Sequence, residues 1–297
     1  MMHTGGRRPA YRYRVVDVFT ETPLEGNPLA VFPEAAGLDE ATMQGIAKEL
    51  NLSETTFVLP VTRSDCSVRL RIFTPAGEMT FAGHPTVGTS FVLLDEGAVP
   101  RASKRFVLEE KVGPVPIHVD AGARPLIWFT TPPIAYGRVY DGALCARVLG
   151  LRPSDLLAAS PQLLSAGNPT VFVPVKDKAT VDRAWIDLEG LPSLDDGSDV
   201  CVFVFTPTAE GAYSRMFARH HGITEDPATG SSTGPLAAFM MRHELAPSTA
   251  GRRFVSEQGV KMGRRSVLHV HVRGEHGGDG IDVGGHVTPI AEGSLRL

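Results

Sequence analysis

Cysteine is scarce in this chain: Cys66, Cys145 and Cys201 are the only three among 297 residues. Odd in number and widely spaced, they exclude a disulfide framework and a thiolate metal site, and they read as buried, reduced thiols. An excess of charge of either sign is also missing. With a net charge of −4 and a pI near 6.2, nothing electrostatic points to nucleic acid or an anionic membrane as partner. No apolar run approaches the length of a membrane span, and the basic start MMHTGGRRPAYRYR leads into no signal-peptide core, so a cytoplasmic location is expected. The Gly-rich segments lack the lysine of GxxxxGK[ST] and follow no strand–helix–strand alternation, which excludes a nucleotide-binding loop. What is present is ordinary for a globular protein, with 42% hydrophobic and 21% charged residues, in a length suited to one large domain or two of moderate size.

Read in order, Tyr11 to Phe19 and Leu29 to Phe32 form an opening hairpin. Asp39 caps a helix whose Met43, Ile46, Ala47 and Leu50 share one face and which stops near Asn51. Leu52 to Leu59 turns a polar corner into a strand, and Glu54, taken alone, reads as a solvated corner residue. A half-buried strand over Ser67 to Phe73 follows, then a meander of Phe106 to Glu110, Val115 to Val119 and Pro125 to Phe129, and a proline-rich boundary near Thr130 to Tyr136. The second half has a helix near Gly142 to Leu149 and strands near Thr170 to Val175, Val200 to Phe205 and through Met216. A late hairpin, Arg253 to Val255 with Ser266 to Val272, precedes a Gly-rich loop from Gly274 to Gly285 and a final strand pair within Val287 to Leu297. Strands outnumber helices, and their short connections suit antiparallel pairing, which favours α+β over a doubly wound sheet. His269 and His271 alternate on one strand without accompanying ligands, so no metal site is indicated, and His220 and His221 read as exposed loop residues.

Two stretches carry the functional signal. TEDPATGSSTGPLAAFMM, from Thr224 to Met241, reads as a turn of acids, hydroxyls and glycine ahead of a helix starting near Pro235. It is either an ordinary capped helix or a place where free N–H groups and the positive dipole end receive a carboxylate or phosphate. EMTFAGHPTVGTSFVLL, from Glu78 to Leu94, aligns with it at a constant offset of 147 residues, matching Gly83 with Gly230, His84 with Ser231 and Thr86 with Thr233. Upstream, Arg71-Ile72-Phe73 resembles Arg215-Met216-Phe217. The repeat suggests two related halves, each lending one helix start to a shared cleft.

GNPLAVF, AKELNLSETTFVL, RIFTPAGEMTFAGHPTVGT, GITEDPATGSSTGPLA and QGVKMGRRS occur in order along nearly the whole chain, and together they resemble the PhzF family of phenazine-biosynthesis isomerases. The resemblance implies a diaminopimelate-epimerase-like α+β fold of two pseudo-symmetric halves, each a curved antiparallel sheet around a central helix. Residues 1–130, joined by a C-terminal strand at about 284–297, would form one half and residues 131–283 the other, with the site in the cleft between them. It further implies isomerisation without cofactor or metal of a small carboxylate such as trans-2,3-dihydro-3-hydroxyanthranilate, and a homodimer. Glu54 would be the general acid/base, His84, Asp226 and Ser231 would join it in the catalytic set, and Gly83 and Gly230 would help bind substrate. The alternatives are an epimerase or other proton-transfer isomerase on another amino-acid-like substrate, and a binding protein that has lost turnover. Racemases of this fold use one cysteine from each half; Ala82 and Thr229 stand at those positions here, which argues against two-thiol chemistry.

Overall fold

A computed structural model describes residues 9–187, 194, 200–218, 223–247, 252–274 and 280–297. Its elements come in two matching series. The first contains β1 (Ala10–Val18), β2 (Asn27–Phe32), α1 (Glu40–Leu50), β3 (Glu54–Leu59), β4 (Val68–Phe73), β5 (Glu78–Met79), α2 (Gly83–Glu96), β6 (Arg105–Glu110), β7 (Gly113–Asp120), β8 (Leu126–Thr130) and β9 (Ala135–Val139). After the short helix α3 (Gly142–Val148), the second contains β10 (Gln162–Ser165), β11 (Thr170–Pro174), α4 (Lys178–Arg183), β12 (Cys201–Thr208), β13 (Gly211–Ala218), β14 (Ile223–Asp226), α5 (Gly230–Arg242), β15 (Arg253–Gln258), β16 (Ser266–Arg273), β17 (Gly280–Gly285) and β18 (Val287–Arg296).

Each strand of the first series pairs as its counterpart nine strands later does. β2–β3 and β11–β12 are parallel, as are β4–β6 and β13–β15, and the remaining ladders are antiparallel. The expectation of antiparallel pairing therefore meets four exceptions, two per half, each spanning a helical connection. The last strand of each series leaves its own sheet, β9 pairing with β10 and β18 with β1, while β8 and β17 form the seam. The result is the α+β architecture of two curved sheets, each wrapped around one buried helix. α2 packs on β1, β2 and β8, and α5 packs on β10, β16 and β17.

Local chemistry explains most element ends. The Asp39 carboxylate accepts the Thr42 N–H at 2.7 Å to start α1, Asn51 turns left-handed to stop it, and Met43, Ile46 and Ala47 face inward as their spacing predicts. Two expectations give way. Residues 274–285 do not form one loop, because 280–285 are β17: a Cβ at Gly284 would lie 2.5 Å from the Trp128 ring, so glycine here makes room for an aromatic rather than a turn. The Val287 to Leu297 stretch is one long strand along β1 rather than a pair. Cys145 and Cys201 are buried as expected, but Cys66, in the loop before β4, is partly exposed. His220 and His221 lie outside the described residues.

Candidate active site

The repeat read from the sequence delivers the two helix starts to one place. Arg71 Nε meets Glu78 Oε1 at 2.6 Å with its guanidinium 5.0 Å from the Phe73 ring centre. Arg215 Nε and Nη2 each meet the Glu225 carboxylate at 2.8 Å, with the guanidinium 5.0 Å from the Phe217 ring centre. These pairs tie each incoming strand to the turn that opens α2 or α5. Inside each start, a threonine hydroxyl bonds back to the cap carbonyl, Thr86 to Ala82 at 2.7 Å and Thr233 to Thr229 at 2.9 Å. Neither start has a side-chain cap, so the reading of an ordinary capped helix does not hold. α5 begins at Gly230 rather than near Pro235; the ring is accommodated inside the helix at the loss of one backbone hydrogen bond.

Gly83 and Gly230 touch. A Cβ added at Gly83 would lie 2.5 Å from the Gly230 backbone, and one added at Gly230 would lie 2.9 Å from Gly83 Cα. Only glycine lets the two helix ends meet head to head, with positive dipole ends directed at one small cleft.

Glu54 opens β3 beside Leu29 of β2 and points into that cleft from the interior, 8% exposed, so the solvated corner reading is corrected. Its Oε2 lies 3.2 Å from His84 Nε2, without the alignment of a hydrogen bond, and neither atom has another partner among the described residues. Burial and, secondarily, the nearby Asp226 charge push the Glu54 carboxyl well above its ordinary range. Burial alone drives His84 down to about 3, so its ring is neutral.

Asn27 connects the two halves. Its Nδ2 donates to Asp226 Oδ1 at 2.7 Å and to the Ala228 carbonyl at 3.0 Å, and lies 3.2 Å from His84 Nδ1. The amide nitrogen cannot accept, and its two hydrogens go to Asp226 and Ala228, so a proton on His84 Nδ1 would find no acceptor there, which favours the tautomer with the ring proton on Nε2. Asp226 also accepts from the Thr229 hydroxyl, while Gln258 Nε2 donates to the Asp226 carbonyl at 2.7 Å and to Thr229 Oγ1 at 3.0 Å. Burial raises the Asp226 carboxyl, against the lowering effect of the Thr229 and Asn27 bonds. Across the cleft, Asn168 Nδ2 donates to Ser231 Oγ at 3.4 Å.

All six residues singled out in the sequence, Glu54, Gly83, His84, Asp226, Gly230 and Ser231, line one narrow cleft, together with Met79, Met216 and Ala218 as its apolar wall. The sequence reading missed Asn27, Asn168 and Gln258. A signal for the first two was available: Gly-Asn-Pro occurs at Gly26-Asn27-Pro28 and again at Gly167-Asn168-Pro169. Among the described residues lining this cleft there is no lysine or arginine. The arrangement suits proton transfer by a carboxyl group in apolar surroundings, with helix ends and hydroxyls to hold an anionic or polar substrate.

Residues 16–293 match the PhzC-PhzF family, described as phenazine biosynthesis-like protein. The chain is 36% identical to an uncharacterized isomerase of Mesorhizobium japonicum, covering 96% of this chain and 98% of that one. It is 35% identical to the trans-2,3-dihydro-3-hydroxyanthranilate isomerase of Pseudomonas aeruginosa, covering 97% and 100%. The crystal structure of a PhzF-family phenazine biosynthesis protein from Bacillus anthracis superposes with a TM-score of 0.86 at 26% identity, covering 97% of this chain and all of that one.

Proposed function

Because the chain belongs to the PhzC-PhzF family of phenazine biosynthesis-like proteins and is an isomerase, we propose that it moves a proton between two carbons of a small carboxylate, with Glu54 as the proton carrier. Trans-2,3-dihydro-3-hydroxyanthranilate, the substrate named for the Pseudomonas aeruginosa relative, is the proposed substrate. The observation that carries this reading is the placement of Glu54: buried, pushed well above its ordinary pKa, and directed with neutral His84 at the gap between two helix starts.

On this reading the substrate carboxylate and the charge that develops during proton removal sit against the Gly83 and Gly230 ends, with Ser231 as a hydrogen-bonding partner. Glu54 as carboxylate takes a proton from one ring carbon; as the acid it returns that proton to another carbon on the same face. His84 faces Glu54 with its Nε2 edge, and Asp226, held by Asn27 and Thr229, tunes Glu54 and orients polar groups of the substrate. No cofactor is needed for this balance, since the proton leaves and returns through one side chain. Residues 1–130 with 284–297 would form one wall of the cleft and residues 131–283 the other, in a cytoplasmic homodimer.

The test is proton NMR of trans-2,3-dihydro-3-hydroxyanthranilate with the wild-type protein and with Glu54→Gln. Conversion by the wild type and its loss in a folded variant is the expected result. A folded wild type that leaves this compound unchanged rejects the proposed substrate, and a variant that turns over at the wild-type rate rejects the proposed carrier.

A further inference from the structure

Glu110 ends β6 beneath the first turn of α2, buried, and takes no part in the proton transfer described above. Its Oε1 lies 2.7 Å from Thr86 Oγ1, which is itself 2.7 Å from the Ala82 carbonyl oxygen. The threonine hydroxyl has one hydrogen. A peptide carbonyl can only accept, so that hydrogen belongs to Ala82, and the second contact requires Glu110 to be the donor. Glu110 Oε2 has no hydrogen-bond partner among the described residues, a costly arrangement for an ionised carboxylate away from water. The matching position at the end of β15 is Gln258, a neutral amide that donates to Thr229 Oγ1 at the other helix start.

We propose that Glu110 is a positioning residue kept as a neutral acid, donating to Thr86 so that the Ala82-Gly83-His84 turn holds His84 in place beside Glu54. The proposal deepens the isomerase reading and rests on it only for its effect on turnover. Burial raises Glu110 to about 8, and donating to Thr86 favours the neutral acid in the same sense. Its charged chain neighbours are engaged elsewhere, Glu109 with Thr62 and Arg69 and Lys111 with Glu78. His84 on α2 is neutral. Ionisation turns the donor into an acceptor, leaving two acceptors facing one hydroxyl hydrogen and loosening the turn.

The experiment is carbon NMR of protein labelled at the glutamate carboxyl carbons, titrated from acid to alkaline pH for wild type, Glu54→Gln and Glu110→Gln. It is paired with kcat profiles of the same proteins except Glu54→Gln. The expected result is a neutral glutamate at pH 7 that titrates near 8, survives Glu54→Gln and disappears in Glu110→Gln. Wild-type kcat then falls above that point, by up to about tenfold per pH unit, while Glu110→Gln, which keeps a donor, holds its activity to higher pH. A carboxyl at position 110 that titrates in the ordinary glutamate range, or superimposable alkaline profiles, overturns the proposal. The titration needs no substrate, so it decides the proposal even if the isomerase reading fails. If Glu110→Gln does not fold, wild type and Glu54→Gln suffice, because a second neutral glutamate must remain after Glu54 is replaced.

Discussion

The starts of α2 and α5 share a frame and differ in equipment. Both arrive from a strand whose arginine pairs with a glutamate, both lack a side-chain cap, and both are braced by a threonine bonding to the carbonyl before the glycine. At matched positions, however, His84 stands against Ser231 and Met79 against Asp226, while Glu54 at the start of β3 stands against Cys201 at the start of β12. The first half brings a carboxyl and an imidazole to the cleft. The second brings a hydroxyl and an acid tied down by Asn27, Thr229 and, through its carbonyl, Gln258. The matched scaffold thus supplies two helix ends, and the side chains around the cleft break its symmetry.

The largest effect that tests this asymmetry is at the matched pair Glu54 and Cys201. Glu54→Gln should lower kcat by about 10²–10⁴-fold, the usual range for loss of a general acid/base, whereas Cys201→Ala should leave it within about threefold. Equal losses in steady-state turnover would break the comparison. Next come the touching glycines. Gly83→Ala drives a methyl into the Gly230 backbone at 2.5 Å, and Gly230→Ala meets Gly83 at 2.9 Å. Both should cost stability on the order of 1–3 kcal/mol by overpacking, Gly83→Ala more, as read from urea midpoints. A third contrast is between the paired asparagines. Asn27→Ala removes a partner from Asp226 and frees the His84 ring, and should reduce kcat by about tenfold or more; Asn168→Ala loses the long bond to Ser231 and the one accepted from the Cys201 thiol, and should mainly raise KM.

A last contrast concerns pH. His84 falls from 6.5 to about 3 on folding, so between those values the unfolded chain binds a proton that the folded chain does not. Stability should therefore fall as pH drops through that window, and His84→Asn should flatten the slope. Glu110 acts in the opposite sense: raised from 4.5 to about 8, it is protonated when folded and ionised when unfolded between those values, so its share of stability declines as pH rises. Urea midpoints across pH for the two single variants separate the contributions.

Much of this was legible in the sequence, for identifiable reasons. The glycine–threonine repeat survives because the helix starts must approach closely, so it reports both the duplication and the cleft. Strand alternation located most of the sheet, but not its four parallel ladders, since the helix between β11 and β12 is only six residues long and β5 only two. β17 reads as loop because its glycines accommodate Trp128 and Phe19, which are remote in sequence. Glu54 is the instructive residue. Local chemistry places a glutamate at a strand corner in water, and only the resemblance to a family, followed by the packing of His84 and Asp226 around it, places it inside. Asn27 and Asn168 are silent to a local reading for a similar reason: an asparagine before proline reads as a turn, while its partners lie on helices and turns far along the chain.

The most direct test of the central claim, that one carboxyl group in one half carries the proton, is to follow a substrate deuterated at the carbon that loses its hydrogen. The reaction is run in ordinary water with wild type and Glu54→Gln, and the product is read by NMR at low conversion. Deuterium recovered on the receiving carbon with wild type, and no product with the variant, is the predicted result. Product that contains solvent hydrogen alone and forms equally fast with Glu54→Gln would contradict it.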